Sequence, residues 1–423
     1  MKVLVVGSGG REHTIAWKLA QSPLLTKLYC APGNPGMAEI AECVNIPADA
    51  VGPLMTFAVR EKIDLTVVGP EDPLAAGIVD AFADEGLLCF GPSRRAAEIE
   101  SNKAFAKSLM KKHGIPTAAF QVFDTLDGAK DYIEKTHPPV VVKAYGLARG
   151  KGVFVCKKRG EAFRAVDSIM KEGLFGAAGD KVVIEECLSG EEASILAITD
   201  GHTIIPLPTS QDHKRVFDRD LGPNTGGMGA YSPAPVITSD LNDRIEREVI
   251  IPTIHAMKCE DRPFSGVLYA GLMITENGPS VLEYNCRFGD PETQPILMRL
   301  KSDLLPVLHA AATGELDKAQ IEWDRRPAVC VAMASGRYPG EYEKGKVIEG
   351  LETVKKMTDV EVFHAGTAIK NGRLVTAGGR VLGVTALGDD LRSAVDLAYE
   401  AVGQIHFDGA HYRTDIARRA LNR

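Results

Sequence analysis

The sequence predicts a multidomain protein of mixed α/β and α+β class that opens with a doubly wound parallel sheet. Three observations carry this. At 423 residues the chain exceeds the roughly 250–300 residues over which a single hydrophobic core keeps growing. Residues 1–100 alternate short β-rich runs with stretches of helical spacing, the pattern of strands joined by helical crossovers. From Ser101 the texture becomes a compact α+β alternation, and it changes again after Thr313. Domains are therefore expected at 1–101, 102–325 (with about 117–188 as an inserted lid) and 326–423.

In the first region strands are expected at 3–6, 28–31, 64–68 and 87–90, with a helix over 12–20. Ligands collect at the carboxyl ends of such strands, here the loops 7–10, 32–34 and 69–74. Gly7-Ser8-Gly9-Gly10 suggests a dinucleotide fingerprint, but Glu12 stands where its third glycine would fall, and an acid there repels a pyrophosphate. The turn is either a phosphate-binding helix N-terminus or a tight strand-to-helix connection. Ser101 or Asn102 can cap a helix over 103–113, which Gly114-Ile115-Pro116 ends. Strands at 120–123 and 140–143 flank a helix at 127–135. The glycine-bearing loop 144–152 then leads into a strand at 153–156. Two strands around such a loop make a hairpin flap that can close over phosphates. Residues 182–188 read as a strand entering a hinge. Residues 210–231 lack periodicity over more than a dozen positions and are expected to be a binding loop. Later come a helix at 303–313, strands at 328–334 and 379–386, a helix at 391–405, and Phe363-His364-Ala365-Gly366-Thr367 as a loop.

Composition narrows the function classes. The charge and apolar fractions are those of a soluble globular protein, and the net charge of −7 comes with no extended Lys/Arg cluster. Nucleic-acid binding is not indicated. The eight cysteines form no Cys-x-x-Cys pair and several lie in apolar runs, as expected for reduced thiols in the cytoplasm. No apolar run approaches the roughly 18 residues of a membrane span.

Candidate chemistry concentrates at Glu283-Tyr284-Asn285-Cys286-Arg287. In a strand, Glu283, Asn285 and Arg287 share one face. That face offers oxygen ligands beside a cation, a profile that suits Mg²⁺ held jointly with substrate phosphates. An ordinary surface strand with a Glu–Arg pair has the same spacing. Lys143 ends a strand beside the flap and could hold phosphate oxygens as a point charge. Residues 182–188 could supply an adenine slot, with Glu191 close enough for a ribose hydroxyl.

The sequence resembles the glycinamide ribonucleotide synthetase (phosphoribosylamine–glycine ligase) family of ATP-grasp enzymes over essentially its whole length. The resemblance rests on Gly9-Gly10-Arg11-Glu12-His13, Ala31-Pro32-Gly33-Asn34, Val68-Gly69-Pro70-Glu71 and Gly91-Pro92. It rests further on Gln211-Asp212-His213-Lys214-Arg215, on the string GPNTGGMGAYSP from Gly222 to Pro233, and on NCRFGDPETQ from Asn285 to Gln294. It implies an N-terminal doubly wound domain, a central ATP-grasp domain with an inserted lid, and a C-terminal α/β domain. Glu283 and Asn285 would bind Mg²⁺ or Mn²⁺. Lys103 and Lys143 would contact the ATP phosphates under the flap of Gly150, Lys151 and Gly152. Glu185, Glu186 and Leu188 would form the adenine hinge, and Glu191 would hold the ribose. Arg287, Asp212, Lys214 and Asn224 would line the acceptor side, and Gly9 and Gly10 would receive the phosphoribosyl group. Lys103, Lys143 and Arg287 would be catalytic. The implied reaction is ATP-dependent ligation of glycine to 5-phosphoribosylamine through glycyl phosphate, the second step of de novo purine synthesis. The implied enzyme is a cytoplasmic monomer with small-molecule substrates and no nucleic-acid or membrane partner.

The sequence departs from the family pattern at Tyr145, where an acid is usual, at Arg149, where alanine is usual, and at Ser101-Asn102, where Gly-Ser is usual. Arg149 is expected to add a phosphate contact or steady the closed flap. Residues 267–274 carry no acid, so water or phosphate would complete the metal shell. Two rivals are an ATP-grasp ligase for another carboxylate and a non-catalytic protein of the same fold. The strings around Asp212 and Gly222 count against the first, and intact Lys103, Lys143, Glu283, Asn285 and Arg287 against the second. A nucleotide-dependent oxidoreductase is disfavoured by Glu12. His13, His213 and His364 are expected in structural or substrate-bonding roles, because a carboxylate nucleophile needs no base.

Overall fold

A computed structural model describes residues 1–147 and 152–423. Its first sheet has five strands in the order Glu42–Cys43, Lys27–Pro32, Lys2–Gly7, Leu65–Val68, Cys89–Phe90. Every neighbouring pair is parallel. Successive side chains of a strand point to opposite faces. Leu4 and Val6 therefore enter one core, and Val3 and Val5 another. With both faces covered, the strand reads as an unbroken apolar run. The strand order reverses between Lys2–Gly7 and Leu65–Val68, which places a crevice at their carboxyl ends.

Glu12 fills that first turn. Its Oε2 accepts from the Gly9 amide at 2.6 Å. A Cβ at Gly7 or Gly69 would collide with the Glu12 side chain. The glycines of this turn accommodate an internal carboxylate, so the dinucleotide reading fails for the reason given from sequence.

The second sheet is antiparallel, in the order Phe120–Phe123, Val182–Glu186, Val140–Ala144, Val153–Cys156. Helices Leu126–Lys135 and Arg159–Val166 cover it through a core whose buried members all fall between Ala129 and Ile184. This unit closes on itself, as a lid must. The third sheet orders Ile204–Pro206, Glu191–Thr199, Gly266–Thr275 and Gly278–Asn285 antiparallel. Asn102 caps the helix Lys103–His113 by accepting from the Phe105 amide at 2.8 Å, and Gly114 ends that helix in the left-handed region.

The fourth sheet joins distant parts of the chain. Its order is Gln211–Asp212, Gly229–Ser232, Ala328–Ala334, Arg380–Leu387, Val360–His364. Here two expectations are corrected. Residues 210–231 are not an aperiodic loop: they hold four short strands, Gln211–Asp212, Arg215–Phe217, Leu221–Asn224 and Gly229–Ser232. Strands this short show no period, and two of them are completed by partners more than ninety residues away or through one that is. Phe363 and His364 likewise lie on the strand Val360–His364, not in a loop. Among the described residues no helix is long and apolar enough to cross a membrane.

Candidate active site

The sheets converge on a cleft of about 480 Å³. The first region contributes Arg11 and Glu71, and the lid contributes Lys143, Gly152 and the stretch from Glu185 to Leu188. The helix Lys103–His113 adds Lys103 and Lys107, and the strand Gly278–Asn285 adds Glu283 and Asn285. Asp212, Lys214, Asn224 and Arg287 line it too, as do Tyr338 and Arg380 from the C-terminal region.

At the lid side, Lys143 Nζ lies 2.9 Å from Glu185 Oε2 and donates to the Leu282 carbonyl at 2.9 Å. Lys107 Nζ meets the same Oε2 at 3.0 Å. Glu185 Oε1 is buried and has no partner among the described residues. Lys103 Nζ donates to the Gly146 carbonyl at 2.9 Å. Burial lowers the pKa of Lys103, opposed by Glu283, and brings Lys107 down to about 8 against the pull of Glu185. Glu186 accepts from the Ala119 amide at 3.0 Å and borders the cleft with Leu188.

Glu283 and Asn285 end their strand on one face. Gly271 stands opposite Glu283 at a β-bulge, where a Cβ would sit 3.3 Å from Glu283 Cγ. Burial would raise the Glu283 carboxyl, but Lys214, Lys143, Lys103 and Arg287 outweigh it and lower its pKa. An ionised carboxylate beside an amide oxygen is a donor set for a hard cation. Among the described residues no group of three or more His, Cys, Asp or Glu could hold a metal alone. A cation here would share its ligands with a substrate.

Arg287 follows the strand and is fully engaged. Its Nη2 donates to Glu100 Oε1 at 3.0 Å and to Asn285 Oδ1 at 3.1 Å, its Nε to Glu71 Oε2 at 3.2 Å, and its Nη1 to the Phe288 carbonyl at 3.2 Å. Burial would raise Glu71, yet Arg287 and Arg11 hold it down at about 2. Burial leaves Glu100 raised despite Arg287. Arg287 thus orients Asn285 and ties the first region to the third sheet.

At the far side, Lys214 lies 3.0 Å from Glu192 Oε2 and 3.7 Å from Glu283 Oε1. Burial opposes its charge, but Glu192, Asp212 and Glu283 raise its pKa. Burial pushes Asp212 up to about 8; Lys214 pulls the other way, and Glu292, Glu192 and Glu283 add to the rise. Glu292 accepts from Tyr269 OH at 3.0 Å and from Ser194 Oγ at 3.1 Å. Arg380 donates to the carbonyls of Gly226, Gly227 and Asp290 at 2.7, 3.2 and 3.0 Å, and to Asp290 Oδ2 at 3.1 Å. It fastens the 226–227 turn to the C-terminal region.

Residues 1–100 match the phosphoribosylglycinamide synthetase N domain, 101–293 its ATP-grasp (A) domain, and 328–419 its C domain. The chain belongs to the phosphoribosylglycinamide synthetase family. Curated relatives of this family agree over full length. The phosphoribosylamine–glycine ligase of Ralstonia nicotianae is 53% identical over 424 residues, covering 100% of each chain. That of Caldanaerobacter subterraneus subsp. tengcongensis is 51% identical, covering 99% of each. A crystal structure of phosphoribosylamine–glycine ligase from Thermotoga maritima superposes with a TM-score of 0.86 at 34% identity, covering 99% of this chain and 100% of that one. A biotin carboxylase–βγ-ATP complex from Campylobacter jejuni shares the fold at a TM-score of 0.76 and 15% identity, covering 100% of this chain and 95% of that one.

Several residues expected for a phosphoribosylglycinamide synthetase lie elsewhere than in the cleft. Glu191 is outside it and pairs with Arg423; the next residue, Glu192, faces inward. Neighbours on a strand point to opposite faces, so a one-residue error of parity exchanges them. Gly9 and Gly10 do not border the cleft, and the Gly9 amide is taken by Glu12; Arg11 is the lining residue of that turn. Gly150 and Lys151 fall outside the described residues, as does Arg149. Tyr145 receives Lys103 by backbone, its carbonyl accepting from the Lys103 amide at 3.0 Å. His13, His213 and His364 are buried, and burial lowers their pKa to about 3, 3 and 4. They are structural bases without a charge near neutrality. Sequence reasoning missed Lys107, Glu192, Glu292 and Arg380. Lys107 had a readable signal, since it lies one turn from Lys103 on the same helix face.

Proposed function

We propose that this chain is an ATP-dependent carbon–nitrogen ligase that joins glycine to 5-phosphoribosylamine, giving glycinamide ribonucleotide, ADP and phosphate. The observation that carries the reading is the polarity of the cleft. Lysines from the lid and the helix Lys103–His113 line one end, and carboxylates around Lys214 line the other, with Glu283 and Asn285 between them. The full-length similarity to ligases of that name supports the choice of substrates.

In the first step a glycine carboxylate oxygen attacks the γ-phosphorus. The bond from that phosphorus to the bridging oxygen breaks, and ADP leaves. In the second step the amine nitrogen of phosphoribosylamine attacks the carbonyl of glycyl phosphate, loses a proton and expels phosphate. Lys103 and Lys143 neutralise the transferring phosphoryl group. The paired strands Val140–Ala144 and Val153–Cys156, with the connecting sequence that holds Gly150, Lys151 and Gly152, exclude water from the labile anhydride. The stretch from Glu185 to Leu188 receives adenine, with Glu185 Oε1, which has no partner among the described residues, accepting from its amino group. Glu192, rather than Glu191, holds a ribose hydroxyl. Asp212, Lys214 and Asn224 take the amino substrates, and Arg287 fixes Asn285. The Gly9-Gly10 turn serves the phosphoribosyl group through Arg11. Glu283 and Asn285 would hold Mg²⁺ or Mn²⁺, which would supply neutralisation of phosphate charge. The enzyme acts as a cytoplasmic monomer in purine synthesis.

ADP release is measured with Mg-ATP, glycine and freshly generated phosphoribosylamine, omitting each in turn. Release that needs all three, with glycinamide ribonucleotide formed, is expected. Activity with another carboxylate and none with glycine would overturn the assignment.

A further inference from the structure

Two lysines share one oxygen of a buried carboxylate. Lys143 and Lys107 both meet Glu185 Oε2, at 2.9 and 3.0 Å, and the three side chains are 7%, 3% and 2% exposed. The other oxygen, Oε1, is buried without a partner among the described residues, and Glu185 lines the cleft. One carboxylate needs one counter-ion, so one lysine is in surplus.

The two lysines are held differently. Lys107 lines the cleft, but its ammonium is anchored by the protein: its Nζ donates to Thr117 Oγ1 at 2.7 Å, which donates in turn to the Val281 carbonyl at 2.7 Å. The Phe120 ring lies 5.6 Å from its ammonium. Lys143 stands at the end of the flap hairpin and, among the described residues, has only the Leu282 carbonyl besides Glu185. The reading above sends Lys143 to phosphate. That move would strip Glu185 of a partner in a desolvated site, a strongly disfavoured state, unless a second cation stayed behind.

We propose that Lys107 is the resident counter-ion of Glu185: a positioning residue that keeps this carboxylate ionised and aimed into the cleft while Lys143 engages nucleotide phosphates. Affinity for a nucleoside triphosphate, and preference for a purine with an amino group at C6, both then depend on a residue that touches neither. The inference rests on the nucleotide reading of this cleft. Without Lys107, Glu185 has two escapes. It takes a proton, and Oε1 no longer distinguishes an amino group from a carbonyl. Otherwise it recaptures Lys143, and the phosphates lose a contact.

Equilibrium dissociation constants of the full chain for ATP, AMP and inosine triphosphate, with Mg²⁺ present, test this. Lys107→Met should weaken ATP about tenfold or more, the size of one lost charge-assisted contact. AMP should weaken less, and the ATP-to-inosine triphosphate ratio should shrink towards one. The Michaelis constant for glycine should stay within about twofold, and Lys107→Arg should recover most of the loss. Lys107→Met binding ATP within about twofold of the parent, with the base preference kept, overturns the inference. Should that variant fail to fold, Thr117→Val loosens Lys107 while keeping its charge. It should shift both readouts the same way by less, and no shift overturns the inference equally. A parent that binds no ATP overturns this inference together with the nucleotide reading; a parent that binds while Lys107→Met is indifferent overturns this inference alone.

Discussion

The two ends of the cleft are built from the same residue types in opposite proportion. At the lid end Lys103, Lys107 and Lys143 gather around the Glu185 carboxylate. At the far end a single ammonium, Lys214, sits among Asp212, Glu192 and Glu283, with Glu292 adding to the acidic field. On the proposed reading each end carries the charge that its substrate lacks: the cationic end awaits phosphates, and the anionic end awaits amines through Asp212, while Glu192 receives the ribose. Glu283 belongs to both, since Lys214, Lys143, Lys103 and Arg287 all lower its pKa. The difference teaches that one cleft can separate phosphoryl donor from amine acceptor by charge balance, with a shared carboxylate marking where they meet.

Substitutions can break this contrast. The largest effect is expected at the shared point. Glu283→Ala should lower turnover by about 10³-fold or more, because it removes an oxygen ligand and charge stabilisation together. Steady-state ADP release across a range of Mg²⁺ concentrations reads this. Asp212→Asn should act on the amine end only. It should cost about 10²-fold in kcat/KM for phosphoribosylamine while the Michaelis constant for ATP stays within about twofold. Its pH profile carries a sign. Asp212 is pushed up to about 8 by burial, so the anion that receives an amine fills as pH rises through that value. kcat/KM for the amine should climb there in the parent, and Asp212→Asn should flatten the climb.

Smaller effects sharpen the boundary. Arg380→Ala frees the 226–227 turn from Asp290 and should raise the Michaelis constants of the acceptor substrates about tenfold, leaving ATP binding near that of the parent. The smallest contrast lies between neighbours. Glu192→Gln should weaken ATP several-fold, about 1 kcal/mol for a charged hydrogen bond to ribose. Glu191→Gln should change it by less than about twofold, because that side chain pairs with Arg423 and does not line the cleft. Isothermal titration of both variants reads the pair.

How much of this was legible in the sequence depended on how local its cause was. The strands Phe120–Phe123 and Val153–Cys156 and the helix Lys103–His113 were read at their boundaries because apolar runs, Asn102 and Gly114 mark them. The parallel sheet was legible because strands covered on both faces are apolar throughout. Residues 211–232 were not, because their strands are only two to four residues long, and Gly229–Ser232, which carries Gln211–Asp212, takes its place against the distant Ala328–Ala334. The choice between Glu191 and Glu192 turns on strand parity, which no composition rule fixes. Arg380 had no local signal: its partners Gly226, Gly227 and Asp290 are about a hundred residues away or more. Lys107 could have been found by helical spacing from Lys103, but its carboxylate partner lies on another element.

The central claim is that a carboxylate oxygen of glycine carries the phosphoryl group from the cationic end to the anionic end. Turnover with glycine labelled by ¹⁸O in both carboxylate oxygens tests it most directly, with mass analysis of the released phosphate. Phosphate carrying one labelled oxygen per turnover is the predicted result. Unlabelled phosphate released in step with glycinamide ribonucleotide would contradict the account.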